Sequence, residues 1–170
     1  MLINEEYFKG EIVIPNLNSI GNGISSQIAS SNLELLLSFI NKYERRFLVS
    51  LLGRDCADEF YKEIERGELS GKWFDLKNKL VDETLKLSPI ANYVYYWYRR
   101  DNVSITTGVG EMETDSDNSV RVSPALKMCR AWNEMVDWVI DIQKWMKSTG
   151  SFNYRNIDVN LLKRINTFNL

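Results

Sequence analysis

Residues 88–98 leave the fewest choices open. They read Ser88-Pro89-Ile90-Ala91-Asn92-Tyr93-Val94-Tyr95-Tyr96-Trp97-Tyr98. Serine suits a helix N-cap, and proline at the first helical position gives up an N–H that would have had no intrahelical partner. The helix that follows is apolar almost all round. It is therefore expected at the centre of the fold, touched by other elements on several sides, with its tyrosine hydroxyls finding partners at the edges. In a chain of 170 residues with 44% hydrophobic content, this predicts one folded unit with tails.

Other helices surround it. Ser31 and Glu34 form a capping box, which predicts a helix start at 31. Leu33, Leu36, Leu37, Ile40, Phe47, Leu48 and Leu51 then recur at three- and four-residue spacings until Gly53 offers a C-terminal cap. A second, shorter helix covers 55–66, with Phe60, Tyr61 and Ile64 on its apolar face and Gly67 at its end. Trp73, Leu76 and Leu80 mark a third. Ser123-Pro124 repeats the Ser-Pro start and opens a long helix to about Lys147, carrying Trp132, Met135, Val136 and Val139.

Between the two Ser-Pro helices, 104–122 breaks the helical pattern, with Thr106-Thr107-Gly108-Val109-Gly110 opening it and Asp115-Ser116-Asp117-Asn118 reading as a turn. A projecting β-hairpin or long loop is expected there. Residues 1–30 have no helical period and read as an extended N-terminal arm. Its apolar Tyr7, Phe8, Ile12, Ile14 and Leu17 must lie on some surface, the chain's own core or a neighbouring subunit, and are candidate subunit contacts. After Gly150 a linker leads to a short amphipathic segment at 158–165 and an exposed end. The expected class is mainly α: a four- to five-helix bundle over 31–149, with an arm at 1–30 and a C-terminal tail with a short helix at 150–170.

The chain has no histidine. That removes Ser-His-Asp and Cys-His nucleophile systems and nearly all common transition-metal sites. Neither a dinucleotide fingerprint nor a P-loop is present. A calcium loop begun at Asp115 needs glycine sixth and glutamate twelfth, where this chain has Val120 and Leu126. No catalytic, cofactor-binding or metal-binding residues are predicted. Asp55, Asp58, Glu59, Glu63 and Glu65 read as the wet face of their helix. Glu111, Glu113, Asp115 and Asp117 alternate, so an extended strand points all four to one side. This acidic stripe reads either as a solvated edge that blocks strand pairing or as a channel lining that repels DNA phosphates.

Twenty-one basic and 23 acidic residues give a net charge near -2, which argues against a dedicated nucleic-acid binder. Cys56 and Cys129 stand alone and read as free thiols in a reducing compartment. No apolar run approaches the ~20 residues needed to cross a bilayer, and no basic-then-apolar leader opens the sequence. A soluble protein is expected.

The stretch 88–102, then Thr106-Thr107-Gly108-Val109-Gly110-Glu111, Val122-Ser123-Pro124 and Arg130-Ala131-Trp132-Asn133-Glu134-Met135-Val136, resembles head-tail connector adaptor proteins of crAss-like phages and related Bacteroides prophages. Phe39-Ile40-Asn41-Lys42-Tyr43-Glu44 in the preceding helix is similar to theirs as well, and the likeness covers roughly 31–147. The resemblance implies a helical, non-enzymatic virion protein of the neck, assembled in the host cytoplasm. It would form a homo-oligomeric ring, a dodecamer, beneath the portal protein, contact the next tail or neck protein, and let DNA pass without specific binding. The alternative is a helical DNA-binding regulator, its helix-turn-helix centred on Gly53. Against this, residues 55–66 carry five carboxylates that a groove-reading helix would avoid. A small hydrolase is a weaker alternative, since only carboxylates are present to serve it.

Overall fold

Pro89–Asp101 is sheathed on nearly every side: Pro89 to Tyr96 and Tyr98 are all buried. In the computed structural model, which describes residues 1–15, 17, 24–67, 69–101, 105–107, 110–112 and 124–167, this is the fourth of five α-helices. The five are α1 (Ile24–Leu52), α2 (Arg54–Arg66), α3 (Gly71–Leu80), α4 (Pro89–Asp101) and α5 (Ala125–Thr149). The protein is mainly helical. The start of α4 follows from local chemistry. The Ser88 hydroxyl oxygen accepts from the Ile90 amide at 3.1 Å and donates to the Leu80 carbonyl at 2.8 Å, which ties the end of α3 to the start of α4. α1 packs on one side of α4 and α5 on another, so the central helix joins the two long ones.

Glycines end three helices. Gly67 (φ 80°) and Gly150 (φ 64°) are left-handed caps of α2 and α5, and their amides reach back to the carbonyls of Ile64 and Met146. Gly53 (φ 81°) makes the break between α1 and α2. A Cβ there would meet the side chain of Asn156 at 3.2 Å. Geometry and close approach both call for glycine at this turn.

Three sequence expectations require correction. α1 does not start at Ser31; it begins at Ile24, and Ser31 is an exposed position inside it. The buried stripe Ala29, Leu36, Ile40, Tyr43 and Phe47 runs upstream past the capping box, with no proline or glycine to interrupt it. The period of the core face therefore outweighs the local cap signal. Nor does an extended arm occupy 1–30. Its first part forms two short 3-10 turns, Glu5–Tyr7 and Gly10–Ile12, folded onto the bundle, and its last residues belong to α1.

The third correction concerns the tail. Its short helix is a 3-10 turn, Val159–Leu162, capped by the Asp158 carboxylate accepting from the Asn160 amide at 2.9 Å. The tail is not free as far as Ile165. Phe152, Ile157 and Leu161 are buried. The Asp158 amide donates to the Ser50 carbonyl at 2.7 Å, and the Asn156 side chain to that of Leu52 at 3.3 Å. On α5, the Trp132 indole N–H donates to the Lys163 carbonyl at 2.8 Å, while Asn133 both donates to and accepts from the backbone of Ile165.

Between α4 and α5, β1 (Ile105–Thr107) and β2 (Gly110–Met112) pair antiparallel, Ile105 opposite Met112.

Candidate interaction surfaces

The candidate contacts in the N-terminal segment are already engaged. Tyr7, Phe8, Ile12 and Ile14 are buried in the chain's own core, and Leu17 packs half-buried against it. Of the two surfaces open to them from sequence, the structure uses the internal one. Of the acidic stripe, Glu111 lies in β2 with its backbone opposite Thr106; Glu113, Asp115 and Asp117 lie outside the described residues. The α2 carboxylates do not converge. Asp55, Glu59 and Glu65 are exposed, Asp58 pairs with Arg45 of α1 at 3.1 Å, and Glu63 pairs with Arg66.

One buried acid escapes sequence reasoning. Glu44, in the middle of α1, is 2% exposed. Its Oε2 accepts from the Leu2 amide at 2.9 Å and the Ile3 amide at 3.3 Å. Burial pushes its carboxyl above the ordinary glutamate range, with the two amides acting in the opposite sense. Burial and the neighbouring Glu44 carboxylate together push the Tyr61 phenol upward. A cleft of about 470 Å³ opens beside them, lined by Asn41, Arg45, Asp58, Tyr61 and Lys62. Glu44 acts here as a clasp for main-chain donors, a structural use of a buried carboxylate.

A second cleft, about 670 Å³, lies between Gly10–Ile12 and α5. Buried Asn92 donates to Glu134 there at 2.9 Å. Arg130, Asp137 and the half-buried Trp138 complete its α5 wall. Asp137 is paired to Arg164 and Asp141 to Lys144, so the carboxylates on this face have cations from the same chain beside them.

The opposite balance holds where α1 meets the end of α4. Tyr43 and Trp97 stack with ring centres 5.4 Å apart and planes 7° from parallel, and Phe39 also stacks with Tyr43, at 5.5 Å. Cations crowd this stack. The Arg46 guanidinium lies 4.7 Å from the Trp97 ring centre, Arg100 lies 5.4 Å from it, and Lys42 stands 4.9 Å from Tyr43. Arg54, at the start of α2, is a fourth exposed cation; it lines a cleft with Lys42, Arg46 and the Arg45–Asp58 pair. Among the described residues none of these four is ion-paired to a carboxylate. One carboxylate also reaches the stack, Asp101, which accepts from the Tyr43 hydroxyl at 3.4 Å; aromatic faces stabilise cations without neutralising them, so the cations outnumber it at this surface.

Cys56 and Cys129 are free, and burial raises both thiols. No cluster of three or more potential metal ligands occurs among the described residues. No helix among them is long and apolar enough to cross a membrane. No protein-family model, no curated protein and no solved structure matches the chain.

Proposed function

We propose that this chain is a non-enzymatic structural subunit of a tailed-phage particle. In this reading it is an adaptor that forms a ring beneath the portal, bridges it to the next neck or tail protein, and lets DNA pass without gripping it. The observation that carries the reading is the connection between α4 and α5. Two helices rooted in the core are joined through strands of only three residues each, β1 and β2. A lone strand pair so short is marginal in water. Beside another subunit its open edges gain main-chain partners, the usual way a sheet edge becomes a contact. The strand pair is then the bridging element of the ring.

The other support is the resemblance over 31–147 and the near-neutral charge, which suits a conduit more than a DNA clamp. The N-terminal segment drops out as the leading subunit contact, because its apolar side chains are spent inside the chain. The test is absolute mass by light scattering, first of the protein alone and then mixed with the portal protein of the phage or prophage that encodes it. A ring-sized species, or a stoichiometric complex on mixing, is expected. A monomer under both conditions overturns the reading.

A further inference from the structure

We infer that the cationic and aromatic groove along α1, flanked by the start of α2 and the end of α4, is the receiving half of a contact between copies, and that it takes the acidic segment 111–117 of a neighbouring copy. This deepens the adaptor reading and rests on it. The groove presents Lys42, Arg46, Arg54 and Arg100, all exposed and none ion-paired to a carboxylate among the described residues. Two of the four are held against Trp97 and a third against Tyr43. Cations braced on rings surrender less side-chain freedom when they meet an anion. The complementary charge is in the sequence itself. Glu111-Met112-Glu113-Thr114-Asp115-Ser116-Asp117 sets four carboxylates in seven residues with no cation among them.

Other carboxylates are poorer partners. In α2 and α5, Asp58, Glu63, Asp137 and Asp141 are paired to Arg45, Arg66, Arg164 and Lys144 of their own chain, and the exposed Asp55, Glu59 and Glu65 are spread along a helix that also carries Arg54, Lys62 and Arg66. The acidic segment also stands at the right place in the chain, beginning within the second of the strands proposed to bridge subunits. A contact between one patch and a different patch on the next copy is heterologous, the kind that closes into a ring. DNA, whose phosphates also suit cations beside an aromatic stack, is the rival occupant. The overall acid excess and the acidic segment beside the bridging strands favour the neighbouring copy.

The test uses two full-length variants. One is Arg46→Glu with Arg54→Glu; the other is Glu113→Lys with Asp115→Lys. Each alone sets like charges against each other at every junction, so assembly, read as mass alone or on the portal, should weaken at least about tenfold. An equimolar mixture meets opposite charges at every junction and should regain assembly, with the two variants in equal amounts. Circular dichroism checks that each variant is folded. If the parent assembles and folded variants assemble equally well alone, or fail to recover on mixing, this contact is wrong while the adaptor reading stands. A parent that is monomeric alone and with the portal sinks both. Loss of DNA retention in a low-salt gel shift by the arginine variant, with assembly intact, overturns the contact in favour of nucleic acid.

Discussion

Oε2 of Glu44 lies 2.9 Å from the backbone nitrogen of Leu2 and takes a second hydrogen bond from Ile3. One buried side chain of α1 thus fastens the first residues of the chain to the bundle, and behind them come Tyr7, Phe8, Ile12 and Ile14, all in the core. Glu44→Ala strands the buried Ile3 N–H and the part-buried Leu2 N–H, and a buried donor costs about 1–3 kcal/mol when left unsatisfied. A loss of about 2 kcal/mol in urea unfolding is expected. An unchanged midpoint would show that the clasp contributes nothing.

The same carboxyl sets a pH dependence. Burial raises its folded-state pKa, so the native chain holds this proton more tightly than the unfolded chain does. Its stabilising contribution is complete below the unfolded value and is lost as pH rises through the raised folded value. Glu44→Gln keeps an acceptor oxygen for the amides and removes the titration. Urea unfolding repeated from about pH 4 to about pH 8 should show a shallower fall in stability for the variant. Parallel curves would place the dependence on other groups.

Ser88 holds two helices with one hydroxyl. Ser88→Ala removes both the cap on α4 and the bond to the Leu80 carbonyl. Loss of an N-cap costs about 0.5–2 kcal/mol, and a buried carbonyl is left unpaired in addition. We expect about 2 kcal/mol in chemical denaturation, with the unfolding slope unchanged.

Asn133 anchors the tail through two bonds to Ile165. In Asn133→Ala, hydrogen exchange should accelerate at 157–165 while the amides of α4 keep their protection. Global stability should fall by only about 1 kcal/mol. Faster exchange throughout the chain would show the tail to be integral to the core instead.

Much of the bundle is legible in the sequence because its signals are local. Ser88-Pro89 starts α4, Gly67 and Gly150 end α2 and α5, and the three- and four-residue spacing of Leu36, Ile40, Phe47, Leu48 and Leu51 fixes the buried side of α1. Ser31 misleads for the same reason: a cap motif is local, whereas the helix persists because Ala29 continues the buried stripe. The surfaces were harder to read. Glu44 looks like one more charge beside Asn41, Lys42, Arg45 and Arg46, and its partners are main-chain amides more than 40 residues away. A signal was nonetheless present, since Glu44 falls four residues after Ile40 and three before Phe47, on the apolar side. The stacking of Tyr43 on Trp97 had no such marker. It depends on how α1 and α4 lie together, which spacing along either helix does not specify.

The tail's route has a mechanical consequence. It is bonded to the end of α1 through Ser50 and Leu52, and to α5 through Trp132 and Asn133. α1 and α5 flank α4 and so have a second link besides it. Separating α1 from α5 therefore means breaking the tail's hold on one of them as well as the packing of both on α4.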